Sequence, residues 1–242
     1  YYYYRPDMLQ IQADTVDRRG VVQLRVGLQA SLPDYVLRPW YIGNVNVRFS
    51  DIPSERPPVR RRVIAPRVAL HRGCLFSSAD QDATLRELSQ LGVFDAVGLD
   101  YVPRDSTMKT DTLDVDIHLL MGKPYELSLE ANLTAKSNNQ VGPGVVAALS
   151  RKNLLRMAET LQLRLKGAYE WQTGRALRSE GYAVNSFEVG ADLSMSVPQL
   201  LFPGGYSYPY RYPVSTTSRL YVDWLNRGGF FRMLAFGGNL TY

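Results

Sequence analysis

Strict alternation between apolar and polar residues over long stretches constrains this chain more than any other feature of its sequence. From Tyr125 to Ala135 every odd position is apolar and every even position is polar. Because successive side chains of a β-strand point to opposite faces, this stretch predicts a strand with one apolar and one polar face. Its length matches the roughly 9–11 residues with which a tilted strand crosses a membrane.

The alternation recurs further along the chain. It is regular at 160–172 and 187–197, and less regular at 144–152, 218–225 and 230–242. Strands of globular proteins usually have about 5–6 residues, so repeated long alternation favours a transmembrane β-barrel over the alternative, a soluble antiparallel domain with one buried face. Residues 124–242 would then supply about six strands, too few to close a channel-sized barrel.

Glycines, loops and aromatic residues add detail to this half of the chain. The alternation changes phase at Gly237 and Gly238, and paired glycines inside a strand predict a bend or bulge. Trp171 and Trp224 lie near predicted strand ends, as in the aromatic girdle of a membrane barrel. Polar or glycine- and proline-rich composition predicts loops at 136–140, 176–186 and 203–213.

The net charge of +5 raises the question of a nucleic-acid partner. The densest basic run is Arg60, Arg61 and Arg62, which follows Pro57 and Pro58 and includes no aromatic platform for bases. A solvated loop is therefore favoured over a phosphate-binding patch, and no nucleic-acid partner is expected.

Two further basic residues, Arg164 and Lys166, fall on the polar face of the predicted strand at 160–172. Contact with a client protein or with lipopolysaccharide is one interpretation of them. Lining of a barrel lumen is favoured, because the interior of a wide barrel is polar.

Residues for catalysis or metal binding are scarce. His71 and His118 are the only histidines, Cys74 is the only cysteine, and no serine stands in a nucleophile-elbow pattern. His118 has no second ligand at metal-site spacing and is interpreted as a polar-face strand residue. We therefore expect neither an enzyme nor a metal or other cofactor in this segment.

The first half of the chain has the pattern of small β-α-β units. Strands are predicted at 41–49, 94–102 and 112–120. Ser78 and Gln81 form a possible capping box, and the helix that begins there is expected to stop at Gly92. Residues 7–13 and 20–28 resemble the hairpin that ends such a unit, which suggests a preceding repeat.

These residues resemble a known family. The stretches 73–76 and 84–94, with Tyr101, Pro103 and Leu113 to Ile117, resemble the last POTRA domain of the BamA/TamA outer-membrane assembly proteins. Residues 136–144 and 151–159 resemble the early barrel of Bacteroidetes members of that family. The first residues lack the pattern of a signal peptide and the last fall within a predicted strand, so the chain is interpreted as a fragment.

The resemblance implies an α+β fold: a POTRA domain (β-α-α-β-β) followed by the N-terminal strands of a transmembrane antiparallel β-barrel, about six of roughly sixteen. The implied domains are 1–36, the end of a preceding POTRA domain, 37–123, the last POTRA domain, and 124–242, the first barrel strands. It implies the bacterial outer membrane as the location, with the POTRA part in the periplasm. Outer-membrane lipids, lipopolysaccharide and accessory assembly subunits are further implied partners.

The resemblance also implies a function and two strand-pairing sites for unfolded outer-membrane protein clients. In this family the first barrel strand lies at a seam that opens to receive a client strand. The corresponding residues are Tyr125, Glu126, Leu127, Ser128, Leu129, Glu130, Ala131, Asn132 and Leu133. Clients are also bound by β-augmentation at the POTRA edge strand, which corresponds to Phe94, Val97, Leu99 and Tyr101.

The family leaves one alternative open. It includes two-partner secretion transporters and patatin-like phospholipases with the same POTRA-barrel arrangement. The present chain is therefore also compatible with the barrel portion of either of these.

Overall fold

The computed structural model describes residues 2–16, 21–28, 32–50, 56–107, 109–137, 140–172, 185–201, 214–228 and 230–242. The chain divides into two compact units. The first consists of Tyr1–Ser50, Val68–Leu88 and Ala96–Leu120, and the second of Asp51–Arg67, Ser89–Asp95 and Met121–Tyr242. Residues 56–67 therefore belong with the large sheet of the second unit, whereas the domain limits predicted at 36 and 123 remain a prediction.

The described residues form two α-helices and eleven strands. The helices are α1 (Arg61–Ile64) and α2 (Ser78–Ser89). The strands of the first half are β1 (Leu9–Val16), β2 (Val21–Leu28), β3 (Tyr41–Phe49), β4 (Phe94–Pro103) and β5 (Thr112–Met121). Those of the second half are β6 (Tyr125–Ala135), β7 (Gln140–Lys152), β8 (Thr160–Gln172), β9 (Ser186–Val197), β10 (Thr216–Arg227) and β11 (Phe231–Thr241). The loops predicted at 176–186 and 203–213 lie almost entirely outside the described residues.

A three-stranded sheet in the order β3-β5-β4 organises the first unit. The central strand β5 pairs in parallel with β3, and its apolar residues Leu113, Val115, Ile117 and Leu119 are fully buried. Polar residues alternate with them, so the sequence pattern of this strand is the pattern of its burial. Strands β1 and β2 pair with each other as a separate two-stranded hairpin.

The N-cap of helix α2 is one residue earlier in the chain than the sequence predicts. The backbone N–H of Asp80 donates to Oγ of Ser77 at 3.4 Å, and that of Gln81 to the Ser77 carbonyl at 3.1 Å. Ser77 is therefore the N-cap, not Ser78. The chain leaves the helix through Gly92, whose φ of 66° is in the left-handed region that favours glycine. No described helix is long and apolar enough to cross a membrane.

Gly43 permits a close approach between β3 and β5. The carboxylate of Asp114 accepts hydrogen bonds from the Asn44 backbone at 2.7 Å and from Nη2 of Arg104 at 2.6 Å. The bond from Arg104 is the main cause that lowers the pKa of Asp114 below its usual value. A Cβ atom at Gly43 would overlap Oδ1 of this carboxylate, and the register of β3 on β5 shifts at the same place.

Six aromatic rings form a cluster in the first unit. The ring of Tyr2 lies 5.1 Å from the rings of both Phe76 and Tyr101, and that of Tyr3 lies 5.3 Å from Tyr35 and from Trp40. The hydroxyl of Tyr101 is buried without a hydrogen-bond partner among the described residues. Burial, more than the nearby Tyr2 and Asp82, raises the pKa of Tyr101 to about 12.

The second unit is built on a six-stranded antiparallel sheet in the order β11-β10-β9-β8-β7-β6. The alternation predicted strands β6 and β8 with the bounds that the structure has.

The bulge predicted at Gly237 and Gly238 is wrong, because β11 pairs with β10 from Phe231 to Thr241 without a register shift. The two glycines instead make room for neighbours on β10, since a Cβ at Gly237 would lie 2.7 Å from the Tyr221 hydroxyl and one at Gly238 would lie 2.9 Å from Leu220.

Replacement of Gly43 by alanine is expected to lower the free energy of unfolding of the first unit by about 1–3 kcal/mol, because backbone or the Asp114 carboxylate must move. Amide hydrogen exchange of β3 and β5 in the full chain measures this. The matched control is Gly98→Ala on β4, where the added Cβ would be 3.7 Å from its nearest neighbour. Equal protection in the two variants would contradict the role assigned to Gly43.

Tyr101→Phe is expected to leave the first unit as stable as before or more stable by up to about 1 kcal/mol, since the lost hydroxyl makes no hydrogen bond. The pH dependence provides a second readout. A tyrosine with an elevated pKa in the folded state contributes stability that is present below about pH 10 and lost as the pH rises through about 12. Urea unfolding between these pH values should show a smaller loss in Tyr101→Phe, and a larger loss would contradict the burial of this hydroxyl.

Candidate functional site

Strand β6 forms one outer edge of the six-stranded sheet. It pairs with β7 from Tyr125 opposite Arg151 to Ala135 opposite Val141, and no described strand pairs with its other side. Every residue of β6 is exposed, including Leu127 at 74% and Leu129 at 73%. All nine residues that the family resemblance assigned to the seam therefore lie on an open edge.

The hydrogen bonds at the two ends of β6 show which of its backbone groups face the open side. Lys152 N–H donates to the Pro124 carbonyl, and Lys136 N–H to the Gln140 carbonyl, each at 2.8 Å. In an antiparallel ladder every second residue bonds to a given neighbour, so the even residues of β6 are directed toward β7. The odd residues direct their N–H and C=O groups outward. They are Tyr125, Leu127, Leu129, Ala131, Leu133 and Ala135.

The same odd residues place their side chains on a continuous apolar face. The cross-strand register joins Leu127 of β6 to Leu149, Leu163, Leu193 and Leu220 on the next four strands. All five leucines are exposed, from 41% at Leu163 to 74% at Leu127. In the described strands the only charged residues on this face are Arg151 and Arg232, which stand near opposite ends of the strands. A soluble monomer rarely exposes an apolar surface that extends over so many strands.

The height of this face suits a membrane. From Leu161 to Trp171, β8 extends roughly 33 Å at about 3.3 Å per residue. A strand tilted by about 40° then covers roughly 25 Å along the membrane normal, which is the height of the apolar band of outer-membrane barrels. Aromatic pairs stand toward the Trp171 end, with ring centroids of Phe187 and Trp224 5.2 Å apart.

The opposite face of the sheet carries ion pairs. Nζ of Lys166 lies 2.7 Å from Glu188 and 3.0 Å from Asp223, and Arg219 pairs with Asp192. Lys166, Gly190 and Asp223 stand in one cross-strand row, and the missing side chain of Gly190 lets Lys166 reach across β9 to β10. A cleft of about 300 Å³ on this face is lined by Arg164, Lys166, Asp192, Arg219 and Asp223. Lys166 is thus held in ion pairs on the polar face, the position predicted for lumen lining.

Strand β7 begins earlier than its sequence suggests. The sequence predicts a start at 144, after Gly142 and Pro143, yet β7 begins at Gln140. Its pairing with β8 omits Gly142 and Pro143, while its pairing with β6 includes both. Proline has no N–H to donate to β8, so the proline weakens only one of the two ladders.

Strand β4 is an edge of the small sheet, since β5 lies between it and β3. The four residues predicted for the POTRA edge, Phe94, Val97, Leu99 and Tyr101, all lie on β4 and are half-buried. Tyr101 packs against Phe76, with ring centroids 5.3 Å apart. This edge and the β6 edge belong to different units, apart from the first residues of β4.

The two histidines have ordinary polar partners. Nε2 of His118 lies 3.1 Å from the Asp100 carboxylate, and Nδ1 of His71 lies 2.7 Å from the Ala69 carbonyl. Among the described residues no group of three or more histidine, cysteine, aspartate or glutamate side chains is arranged to hold a metal ion.

Comparison with known proteins gives structural neighbours but no family. No family model matches the chain, and no curated protein matches it. The chain is similar to BamA from Haemophilus ducreyi lacking POTRA domains 1–3, with 11% identity, 96% of this chain and 47% of that chain covered, and a TM-score of 0.48. It is similar to CdiB from Acinetobacter baumannii, with 13% identity, 96% and 46% coverage, and a TM-score of 0.40. It is also similar to POTRA domains 1–3 of the periplasmic domain of Omp85 from Anabaena, with 18% identity, 48% and 44% coverage, and a TM-score of 0.30. The chain spans about half the length of each of these proteins.

Proposed function

We propose that this chain is part of an outer-membrane assembly factor that inserts unfolded β-barrel proteins by pairing their strands with β6. One observation carries the proposal. The side of β6 away from β7 has no described neighbour, and the odd side chains of β6 continue the apolar face up to that edge. An incoming strand that pairs with β6 extends the sheet directly at the surface that lipid would cover.

The free energy for insertion comes from the client strand itself. Inside a membrane an unpaired backbone amide or carbonyl costs several kcal/mol, because no water replaces the missing hydrogen bond. Each odd residue of β6 offers both a donor and an acceptor to the neighbouring strand. Pairing satisfies these groups on both strands, and burial of client side chains in lipid adds the hydrophobic contribution. No covalent chemistry is needed, and we propose that the described residues work without any.

The edge strand β4 provides a second pairing surface in this proposal. Its residues Phe94, Val97, Leu99 and Tyr101 lie on a strand whose outer side has no neighbour among the described strands, so an extended client segment can add to the small sheet before it reaches the membrane. The proposed location is the outer membrane for the six-stranded sheet and the periplasm for the small sheet. The proposed partners are unfolded outer-membrane proteins, outer-membrane lipids with lipopolysaccharide, and accessory assembly subunits.

A proline at an odd position of β6 tests the pairing directly. Leu129→Pro removes an outward N–H but none of the hydrogen bonds to β7, so the sheet should persist while client pairing is lost. The measurement is the rate at which a fluorescently labelled client barrel inserts into vesicles that contain the complete protein. This rate should fall by roughly fivefold or more, because the variant loses one hydrogen bond of about 1 kcal/mol and the proline ring clashes with the incoming strand.

Two control variants separate backbone from side-chain effects. Leu129→Ala shortens the same side chain but keeps the N–H, so its insertion rate should stay near that of the unchanged protein. Ser128→Pro removes a bond to β7 and should disrupt the β6–β7 ladder, which hydrogen exchange of β7 would show. Normal insertion by Leu129→Pro would rule out β6 as the receiving edge.

A further inference from the structure

The turn between β7 and β8 has a fixed conformation in which two leucines face outward. Asn153, Arg156 and Ala158 all have positive φ, at 58°, 63° and 57°. The carboxylate of Glu159, which is 1% exposed, accepts hydrogen bonds from the backbone N–H groups of Leu155 and of Met157, the latter at 2.9 Å. Asn153 Oδ1 accepts another from Ala158 N–H at 3.2 Å.

The burial of polar and apolar side chains in this turn is the reverse of what is usual in proteins. The turn buries a carboxylate and leaves Leu154 and Leu155 exposed by 42% and 46%. Because the backbone of the turn is bonded internally, these leucines are held at the surface rather than exposed by chance.

The arginine run lies directly against this turn. Arg60 N–H donates to the Arg156 carbonyl at 2.9 Å, and Asn153 Nδ2 donates to the Pro58 carbonyl at 3.1 Å. The Arg156 guanidinium in turn donates to the Pro57 carbonyl through Nε at 3.1 Å. The sequence predicts a solvated loop for the arginine run, but residues 61–64 form helix α1, and the apolar side of this helix is buried.

Burial of that side leaves three charges exposed. Val59, Val63 and Ile64 are buried, so Arg60, Arg61 and Arg62 remain at the surface. None of these three guanidinium groups forms an ion pair with a described carboxylate. Among the described residues, the guanidinium of Arg62 is the one of the three with a polar contact, at 3.5 Å from Sδ of Met157 in the turn.

Arg151 connects this region to the apolar face. It stands opposite Tyr125 on β6 and Leu161 on β8, and its guanidinium carbon lies 5.2 Å from the centroid of the Tyr125 ring. It is exposed and has no carboxylate partner among the described residues. An arginine at the edge of an apolar membrane face extends its charged group to the lipid headgroups while its stem stays on apolar surface.

We propose that Arg60, Arg61, Arg62, Arg151, Leu154 and Leu155 form a binding site for the headgroup of an anionic phospholipid at this rim of the sheet. The arginines supply positive charge for the phosphate, and the two leucines, exposed in the turn that follows Arg151, contact the upper part of the acyl chains. Such a site fixes the depth at which the neighbouring strand β6 sits in the membrane. The inference rests on the proposed function only in taking the apolar face as the lipid-facing one.

The test uses the full chain in uncharged detergent micelles, titrated with water-soluble short-chain phosphatidylglycerol and, in parallel, with short-chain phosphatidylcholine. Isothermal titration calorimetry should show tighter binding of phosphatidylglycerol, weakened by added salt. Arg61→Gln combined with Arg62→Gln should weaken that binding by roughly 30-fold, from about 1 kcal/mol for each arginine near an anionic surface, and should leave phosphatidylcholine binding unchanged. Leu154→Ser combined with Leu155→Ser should weaken binding of both lipids.

The matched control is Arg227→Gln combined with Arg232→Gln, which removes two arginines at the opposite end of β10 and β11 and should leave phosphatidylglycerol binding unchanged. Equal affinity for the two lipids, or unchanged binding in the Arg61 and Arg62 double variant, would overturn the site. Inorganic phosphate should compete poorly because it lacks acyl chains, and competition as strong as that of the lipid would instead identify a site for free phosphate. Leu129→Pro should bind phosphatidylglycerol normally, so a failure of client pairing and a failure of this lipid site give different results.

Discussion

Every second residue of β6 directs its backbone N–H and C=O groups away from the large sheet, where no described strand pairs with them. Strands β7 to β10 have a neighbour on each side, whereas β6 has a described neighbour on one side only. Soluble proteins usually protect such an edge with charged residues, proline or a bulge, because it readily pairs with other chains. Strand β6 has none of these on its outward residues, which are tyrosine, leucine and alanine. The open edge is therefore a surface suited to pairing.

The two faces of the sheet follow from the strand register. In this register Leu127 of β6 begins a row of leucines, one on each of the next four strands, so the apolar face is continuous. The same register collects lysine, arginine and acidic side chains on the other face, where a row of Lys166, Gly190 and Asp223 becomes an ion pair across three strands. A shift of one residue in any strand would mix the two faces.

Glycine and proline matter here because glycine has no side chain and proline has no backbone N–H. Gly43 admits a carboxylate, Gly190 an ion pair and Gly237 the ring of Tyr221. Pro143 interrupts the ladder from β7 to β8 but leaves that from β7 to β6 complete. In each case the sequence shows an unusual residue, and only the neighbouring strand explains it.

Local structure follows from the sequence alone: the bounds of β6 and β8, the buried alternation of β5, and an apolar face long enough to cross a membrane. Period-two alternation is a local property, because each side chain's direction is fixed by its own backbone. Other features depend on contacts between residues far apart in the chain and are seen in the folded structure alone. Examples are the N-cap at Ser77, the absence of a bulge at Gly237 and Gly238, and the docking of Arg60 on the turn at Arg156. The place of β4 and β6 at sheet edges was implied by the family resemblance and not by the alternation. Alternation specifies which face a residue occupies but not which strand lies beside it, so the edge position of β6 depends on the pairing of all six strands and does not follow from the alternation.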